Sequence, residues 1–346
     1  MRITGEGPIP TRIMIVGEFP SERDIQVGTP FQDAGGMELN RMLHEAGIMR
    51  SECYVTTVVK QRPPQGLLAG WIAKAKKDIT SAHQQRLGLH VTKEIVEGLS
   101  GLYAEVEMVQ PNLIIAGGNL ASWALTGNWS VMKWRGSLLR MMPMFKDQGE
   151  LERPKVIPTY SPGQVLRQWD IRAVVVTDLR RARRHMTSRE YDNIPAWNFT
   201  IRPSAEKVFS TLQYLLDRLE TESLWIEFDL ETFITTKHIR CAGISWSRTE
   251  AICIPFTDGH EDYWDPDTEA AVIHKLYKVL THPNVKVRGQ NLLFDCQYTY
   301  RYWHFIPNVK HDTMISQHSL FAALPKSLDF IASMYADYYQ FWKDDK

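Results

Sequence analysis

The sequence has no surplus of charge of either sign: Lys+Arg and Asp+Glu each total 40 over 346 residues, a formal net charge of +0. The simplest signature of a nucleic-acid binder is therefore missing, although a local basic stripe offset by an acidic site sums to the same figure. Cysteine is scarce. Cys53, Cys241, Cys253 and Cys296 contain no Cys-x-x-Cys pair, which argues against a thiolate cluster or a disulfide scaffold and for reduced thiols in a cytoplasm. Long apolar runs are absent, none approaching the roughly 18–20 residues of a membrane span. The opening Met1-Arg2-Ile3-Thr4-Gly5-Glu6 lacks the charged-then-apolar order of a leader. The expectation is a soluble, intracellular chain with no membrane partner. What is present is ordinary for globular protein, 44% hydrophobic and 23% charged residues, in a length that suits two domains.

Short β-rich runs alternate with helical stretches up to about His185. Arg12–Gly17, Tyr54–Val59 and Leu113–Ala116 read as strands, Glu38–Ala46 as a helix, and Val156–Thr159 and Ala173–Val176 as strand or buried turn. This alternation predicts an α/β sandwich with a mainly parallel sheet and a site beyond the carboxyl ends of its strands. Residues 1–186 form the first expected domain. The polar stretch 187–203, with two prolines, reads as a linker, and residues 204–346 as the second domain. There, Ser204–Leu219 has helical spacing, and Leu224–Leu230, Ile239–Ser245 and Ala251–Phe256 read as a meander. A helix over Asp267–Leu280, a strand at Val285–Arg288 and a further helix follow. The basic cluster Arg180–Arg184 reads as a solvated helix face.

Asp229 and Glu231 close the first strand of the second domain, in Trp-Ile-Glu-Phe-Asp-Leu-Glu-Thr. Residues two apart on a strand share a face, and two acids forced together call for a hard divalent cation. Such a pair alone is more often solvated surface. Further on, Gly289-Gln290-Asn291-Leu292-Leu293-Phe294-Asp295 sets Asn291 and Asp295 four apart, on one face of the helix expected after a strand, and His311-Asp312-Thr313-Met314 comes later. Asp229, Glu231 and Asp295 together suit a two-metal Mg²⁺ or Mn²⁺ site for phosphodiester cleavage.

In this order, these motifs resemble the DnaQ-like 3′→5′ proofreading exonuclease domain of family A DNA polymerases. Asp229 and Glu231 match its first motif, Asn291 and Asp295 its second. The ending Ala323-Leu324-Pro325-Lys326-Ser327-Leu328 through Trp342-Lys343-Asp344-Asp345 looks like phage polymerases of this class. The resemblance implies a ribonuclease-H-like mixed sheet, Mg²⁺ or Mn²⁺ as cofactor, single-stranded DNA 3′ ends as substrate, and a polymerase portion or subunit as partner. If the gene is a phage's, the compartment is the host's bacterial cytoplasm. The family's third motif, Tyr-x-x-x-Asp, is not found: after Asp295 no tyrosine has an aspartate four residues on, and Tyr263 with Asp267 comes too early. The domain is therefore expected to be C-terminally incomplete, and exonuclease activity of this chain alone weak or absent.

The first half carries Glu18-Phe19-Pro20-Ser21, Gly28-Thr29-Pro30-Phe31, Thr57 through Lys60-Gln61-Arg62-Pro63-Pro64, Lys133-Trp134-Arg135-Gly136 and Tyr160-Ser161-Pro162-Gly163 through Arg167. Singly these are turns. In order they resemble family 4 uracil-DNA glycosylases, enzymes that flip uracil into a pocket and hydrolyse its glycosidic bond. The resemblance puts Glu18 in the catalytic loop and Phe31 where the flipped base is stacked. Thr57 stands where the family has an asparagine reading uracil, and Ser161 where it has a histidine. A threonine hydroxyl cannot match a base edge as a carboxamide does, and serine has no polarised imidazole N–H for the departing base. Phe19 replaces a small residue and is expected to fill the pocket. Gln61 replaces a cluster cysteine, so no iron–sulfur cluster is expected.

The expectation is a glycosylase-like domain that grips DNA through Lys60, Arg62, Lys133, Arg135 and Arg167 without excising bases. The segment Trp71–His90, with Lys74, Lys76, Lys77 and Arg86, looks inserted and adds to that surface. Two other readings stay open: an active base-excision enzyme fused to a nuclease, and a non-catalytic DNA-binding subunit of a split polymerase.

Overall fold

The computed structural model describes residues 2–73, 75–191, 194–259 and 261–343, and the chain divides into two units, Met1–Asn193 with Asp329–Lys346, and Ile194–Leu328. The first unit is built on β1 (Ile13–Gly17), β2 (Cys53–Thr57), β3 (Leu113–Gly117), β4 (Leu139–Arg140) and β5 (Lys155–Thr159), in the order β2-β1-β3-β5-β4. All pairings are parallel except that of the short edge strand β4. Its main helices are α1 (Ala34–Ala46), α2 (Lys93–Val109), α3 (Asn119–Thr126), α4 (Pro162–Arg167) and α5 (Arg172–His185). Every residue of the four parallel strands is buried, as a sheet covered on both faces requires. Met14, Val16, Ile114 and Ala116 pack with α2 and α3, while Ile13, Ile15, Leu113 and Ile115 pack with α1 and α5. This is the expected three-layer sandwich. One element differs: Ala173–Val176 lies inside α5. Three successive valines favour a strand locally, but Val175, Leu179 and Ala182 recur at helical spacing and are buried on the sheet.

The second unit has one six-stranded sheet made of β6 (Asn198–Ile201), β7 (Leu224–Thr232), β8 (Ile239–Ser245), β9 (Glu250–Pro255), β10 (Val285–Gly289) and β11 (Val309–Asp312), in the order β11-β10-β7-β8-β9-β6. β7, β8 and β9 form an antiparallel meander, and β10 and β11 run parallel to β7. The result is a ribonuclease-H-like mixed sheet. Helices α6 (Ala205–Leu219) and α7 (Pro266–Leu280) bury Val208, Leu212, Leu215, Val272 and Leu276 against one face. α8 (Leu292–Trp303) and α9 (Thr313–Leu320) follow β10 and β11.

Two boundaries depart from the sequence reading. The stretch expected as a linker contains β6, which adds parallel to β9. The last segment belongs with the first unit. α10 (Leu328–Tyr335) begins it, the Leu138 amide donates to the Tyr339 carbonyl at 2.9 Å, and the Phe341 amide donates to Ser137 Oγ at 3.1 Å. Arg181 explains the attachment. It is fully buried, not on a solvated helix face, and donates to the carbonyls of Gly136 at 3.0 Å and Ala336 at 2.9 Å. A buried guanidinium needs such acceptors, and the segment supplies one of them. Residues 344–346 of the quoted ending lie outside the described residues.

Candidate functional sites

In the first unit three of the expected loops leave the carboxyl ends of parallel strands, Glu18 after β1, Thr57 ending β2 and Ser161 after β5, and Gly118 follows β3 beside them, while Lys133 and Trp134 lie in a short helix. Glu18 reaches across to α3, where its Oε1 accepts from the Leu120 amide at 2.9 Å. Gly118, at φ 105°, makes room for it, since a Cβ there would lie 2.5 Å from Glu18 Cδ. Burial holds the Glu18 carboxyl above the usual range, opposed by the Leu120 and Asn119 amides and by Arg167. Phe31 is half-buried, with its ring against Gly17. A cavity bordered by Phe31, Gly117 and Pro162, and otherwise by Ile15, Leu39, Met42 and Val175 of the α1–α5 side of the sheet, holds about 10 Å³, room for no more than one water. Phe19 packs on the core of the other, α2–α3 side of the sheet.

Several other polar groups of this unit are engaged internally. Thr57 is buried and its hydroxyl donates to the Val59 carbonyl at 2.7 Å. Ser161 caps α4 in a reciprocal box with Gln164, accepting from its amide at 3.3 Å while the Ser161 amide donates to Gln164 Oε1 at 3.0 Å. Two of the five expected phosphate contacts are corrected. Lys60 donates to Glu105 at 2.6 Å and to the Thr57 carbonyl at 2.8 Å, with only 16% of its side chain exposed. Arg135 is buried, pairs bidentately with Asp178 and donates to Ser333 Oγ. The sequence signals a cation in each case but not the distant partner, 45 and 43 residues away. Arg62, Lys133 and Arg167 are exposed, Lys133 lying over the Phe341 ring at 5.9 Å. In the segment that looks inserted, Lys76, Lys77 and Arg86 are exposed beside a small three-stranded sheet, and Lys74 lies outside the described residues.

In the second unit β7 alternates strictly. Ile226, Phe228 and Leu230 enter the core, and Asp229 and Glu231 stand on the open face opposite Gly243 and Cys241 of β8. Pairing between β7 and β10 ends at Glu227 and Arg288. At Gly289 the chain turns so close to β7 that a Cβ would meet the Phe228 carbonyl oxygen at 2.6 Å. The next free amide of β7, Leu230, donates to Asp295 Oδ1 at 2.7 Å. The end of a parallel pairing thus draws Asp295 to the strand that carries Asp229. Asp295 is buried and its carboxyl is pushed up to about 7, mainly by burial; the Leu230 amide opposes this, and the charges of Asp229 and Asp312 add to it. The Asp229 carboxyl is also raised, first by lost hydration and then by Glu231.

The acids therefore act on one another, but no three His, Cys, Asp or Glu side chains among the described residues are gathered closely enough to hold a metal ion. Asn291 does not share a helix face with Asp295. It is exposed, sits at φ 58° before α8 begins, and its amide donates to Asp312 Oδ1 at 3.1 Å. Asp312, which the sequence reading quoted in His311-Asp312-Thr313-Met314 without a role, organises this corner. It also accepts from the amides of Leu292 and Met314, both at 2.8 Å, and so fixes the start of α8 and caps α9. An aspartate between a strand and a Thr-Met helix start carries that capping signal. A groove of about 500 Å³ runs past Asp229, lined among others by Phe199, Ile201, Gly243, Cys253 and Leu328. Among the described residues no helix is long and apolar enough to cross a membrane.

The sequence profile described as "Uracil DNA glycosylase superfamily" matches residues 4–180. The type-4 uracil-DNA glycosylase of Thermotoga maritima is 32% identical over 185 residues, 52% of this chain and 81% of the enzyme. A DNA polymerase of Bacillus phage SP01 is 28% identical over 176 residues, 51% of this chain but only 16% of the polymerase. Among solved structures, a mutant of the catalytic core of RRP6 from Trypanosoma brucei aligns at a TM-score of 0.34 and 16% identity, over 45% of this chain and 39% of that one.

Proposed function

Because the chain belongs to the uracil DNA glycosylase superfamily and joins that fold to a ribonuclease-H-like unit, we propose that it is a DNA-handling module of a phage-type DNA polymerase. In this reading the second unit is a 3′→5′ exonuclease that trims single-stranded DNA ends, and the first grips DNA without excising bases. The observation that carries it is the set Asp229, Glu231 and Asp295, with Asp229 and Asp295 both held above the ordinary carboxylate range. An oxygen-only donor set under mutual repulsion fits Mg²⁺ or Mn²⁺. Drawn closer together than they stand here, these three acids would hold the cation, which when bound supplies an activated water and charge neutralisation for phosphodiester hydrolysis. The chain's own residues position the set: Leu230 holds one oxygen of Asp295 and leaves the other available, and the groove beside Asp229 accommodates the strand end.

Two features of the first unit support loss of base excision: the engaged hydroxyl of Thr57 and the capping role of Ser161. Arg62, Lys133 and Arg167 remain its candidate phosphate contacts. A polymerase portion or subunit is the proposed partner, and the cytoplasm, a host bacterium's for a phage gene, the proposed compartment. The spread of the acids, no three of which are gathered to hold a metal ion among the described residues, favours a second reading, a non-catalytic DNA-binding subunit. The deciding measurement uses a 5′-labelled single-stranded oligonucleotide with Mg²⁺ or Mn²⁺, comparing the native chain with the Asp229→Ala/Glu231→Ala variant. Metal-dependent shortening from the 3′ end, lost in the variant, is expected of an exonuclease. Binding without shortening selects the second reading, and uracil release from a labelled oligonucleotide would refute an inert first unit.

A further inference from the structure

The open face of the second unit's sheet extends well beyond the acids. Asp229 of β7, Gly243 of β8, Cys253 of β9 and Ile201 of β6 stand opposite one another in one row across it. The next row runs from Glu227 through Ser245 and Ala251 to Phe199. Opposite residues share a face, so Phe199 and Ile201 stand on the face of Asp229, roughly 14 Å from β7 by strand spacing. Every side chain between the two ends is small, and the groove of about 500 Å³ is the space above this floor. Natural edge strands are usually blunted by charge or proline. The edge strand β6 instead leaves Phe199 57% and Ile201 71% exposed, and the Trp197 ring is stacked on that of Phe199 with centroids 6.3 Å apart. Packed protein surfaces interdigitate, and a floor of small residues offers a partner helix nothing to interdigitate with. A planar ring can lie on it, and stacking on exposed aromatics holds single strands of any sequence.

We propose that β6 is a base-stacking shelf for single-stranded DNA. Unpaired bases that precede the 3′ end lie across the groove and stack on Phe199, with Ile201 beside the ring and Trp197 behind it. The shelf rests on the reading of the second unit as one that receives DNA ends at Asp229, and it is tested by binding without cleavage. The full-length chain, in metal-free buffer, is titrated into single-stranded oligonucleotides that carry a 5′ dye and the fluorescent base 2-aminopurine at successive positions from the 3′ end. Anisotropy of the dye reads affinity, and quenching of 2-aminopurine reads stacking. Quenching is expected at positions just inside the 3′ end. Phe199→Ala should remove it and weaken binding roughly 5- to 150-fold, the loss of one base–aromatic stack. Phe199→Tyr should retain both, and Phe199→Leu, apolar but without a ring, should lose the quenching. Phe199 is exposed, so melting temperatures should stay close to that of the native chain. Unchanged affinity and quenching in Phe199→Ala would overturn the shelf and leave the groove to a protein partner. Full retention in Phe199→Leu would overturn it in favour of a general apolar contact. No oligonucleotide binding would overturn the shelf together with the DNA-handling reading. Quenching without Mg²⁺-dependent shortening would uphold the shelf and overturn the exonuclease reading alone.

Discussion

Thr57, Ser161, Lys60 and Arg135 in the first unit each end on a partner within that unit, whereas in the second the charge of Glu231 raises Asp229 and the charge of Asp229 raises Asp295. Both sets occupy the places where their folds usually carry chemistry. In the first, each polar group has exchanged water for an internal partner, so a ligand would have to break a bond already made. In the second, burial and repulsion leave carboxyls that a cation would relieve. The difference separates a scaffold that is complete without a ligand from a site that is completed by one.

The largest effect should come from the buried pair of the first unit. Arg135→Ala leaves Asp178 buried without its guanidinium and is expected to cost about 3–5 kcal/mol, read as a lower midpoint in urea unfolding. Asp178→Asn should cost a comparable amount. Replacing both residues by apolar side chains of similar volume should recover much of the loss, because such pairs are often close to neutral against a well-packed apolar substitute. A small cost for Arg135→Ala would mean that the pair is hydrated and that Arg135 is free for other contacts.

Asp295 tests the other side of the comparison. Its carboxyl is raised from 3.8 to about 7, so the folded state binds the proton more tightly than the unfolded chain does. The contribution is fully present below about 4 and is lost as pH rises through about 7. Asp295→Asn keeps an acceptor for the Leu230 amide and removes the charge. The variant should be more stable than the native chain at pH 8, by on the order of 2 kcal/mol, and should lose that advantage at pH 4. Mg²⁺ or Mn²⁺ should raise the melting temperature of the native chain at pH 8 and leave Asp295→Asn unchanged. Parallel pH profiles for the two proteins would show that Asp295 titrates normally.

How far each unit could be read from sequence follows from the range of its interactions. Strands β1, β2, β3 and β5 announce themselves as apolar runs, and β7 through alternation around Asp229 and Glu231. The second motif was legible as a pattern but not as geometry. Asn291 and Asp295 are four apart, yet the helix starts only at Leu292, because Gly289 and the Asp312 cap set its first turn. The status of Lys60 and Arg135 was not legible, since an exposed and an ion-paired cation have the same local sequence. The attachment of residues 329–343 to the first unit was hidden for the same reason, as it rests on buried guanidinium groups more than 150 residues away in sequence.

Ser161 should show a smaller effect. Ser161→Ala removes one half of the box that starts α4 and is expected to cost about 1 kcal/mol, measured by urea unfolding. If the serine also took part in base chemistry, Ser161→His would confer uracil release on the chain. With the Ser161 hydroxyl engaged in the cap, stability should change and release should stay absent.

Arg167 should show the smallest stability effect and gives the clearest contrast with Lys60. Arg167 is exposed, and its charge draws the Glu18 carboxyl down, so Arg167→Ala should alter stability by no more than ~0.5 kcal/mol. If it contacts a phosphate, the variant's log–log salt slope for single-stranded DNA should fall by about one. Lys60→Ala should do the reverse, leaving the salt slope unchanged while costing stability, because Glu105 loses the ammonium that it holds at 2.6 Å. Equal salt slopes for native chain and Arg167→Ala would remove Arg167 from the DNA surface. A reduced slope in Lys60→Ala would show that the Lys60–Glu105 pair opens when DNA binds, and that the first unit is less settled without its ligand than its internal bonds imply.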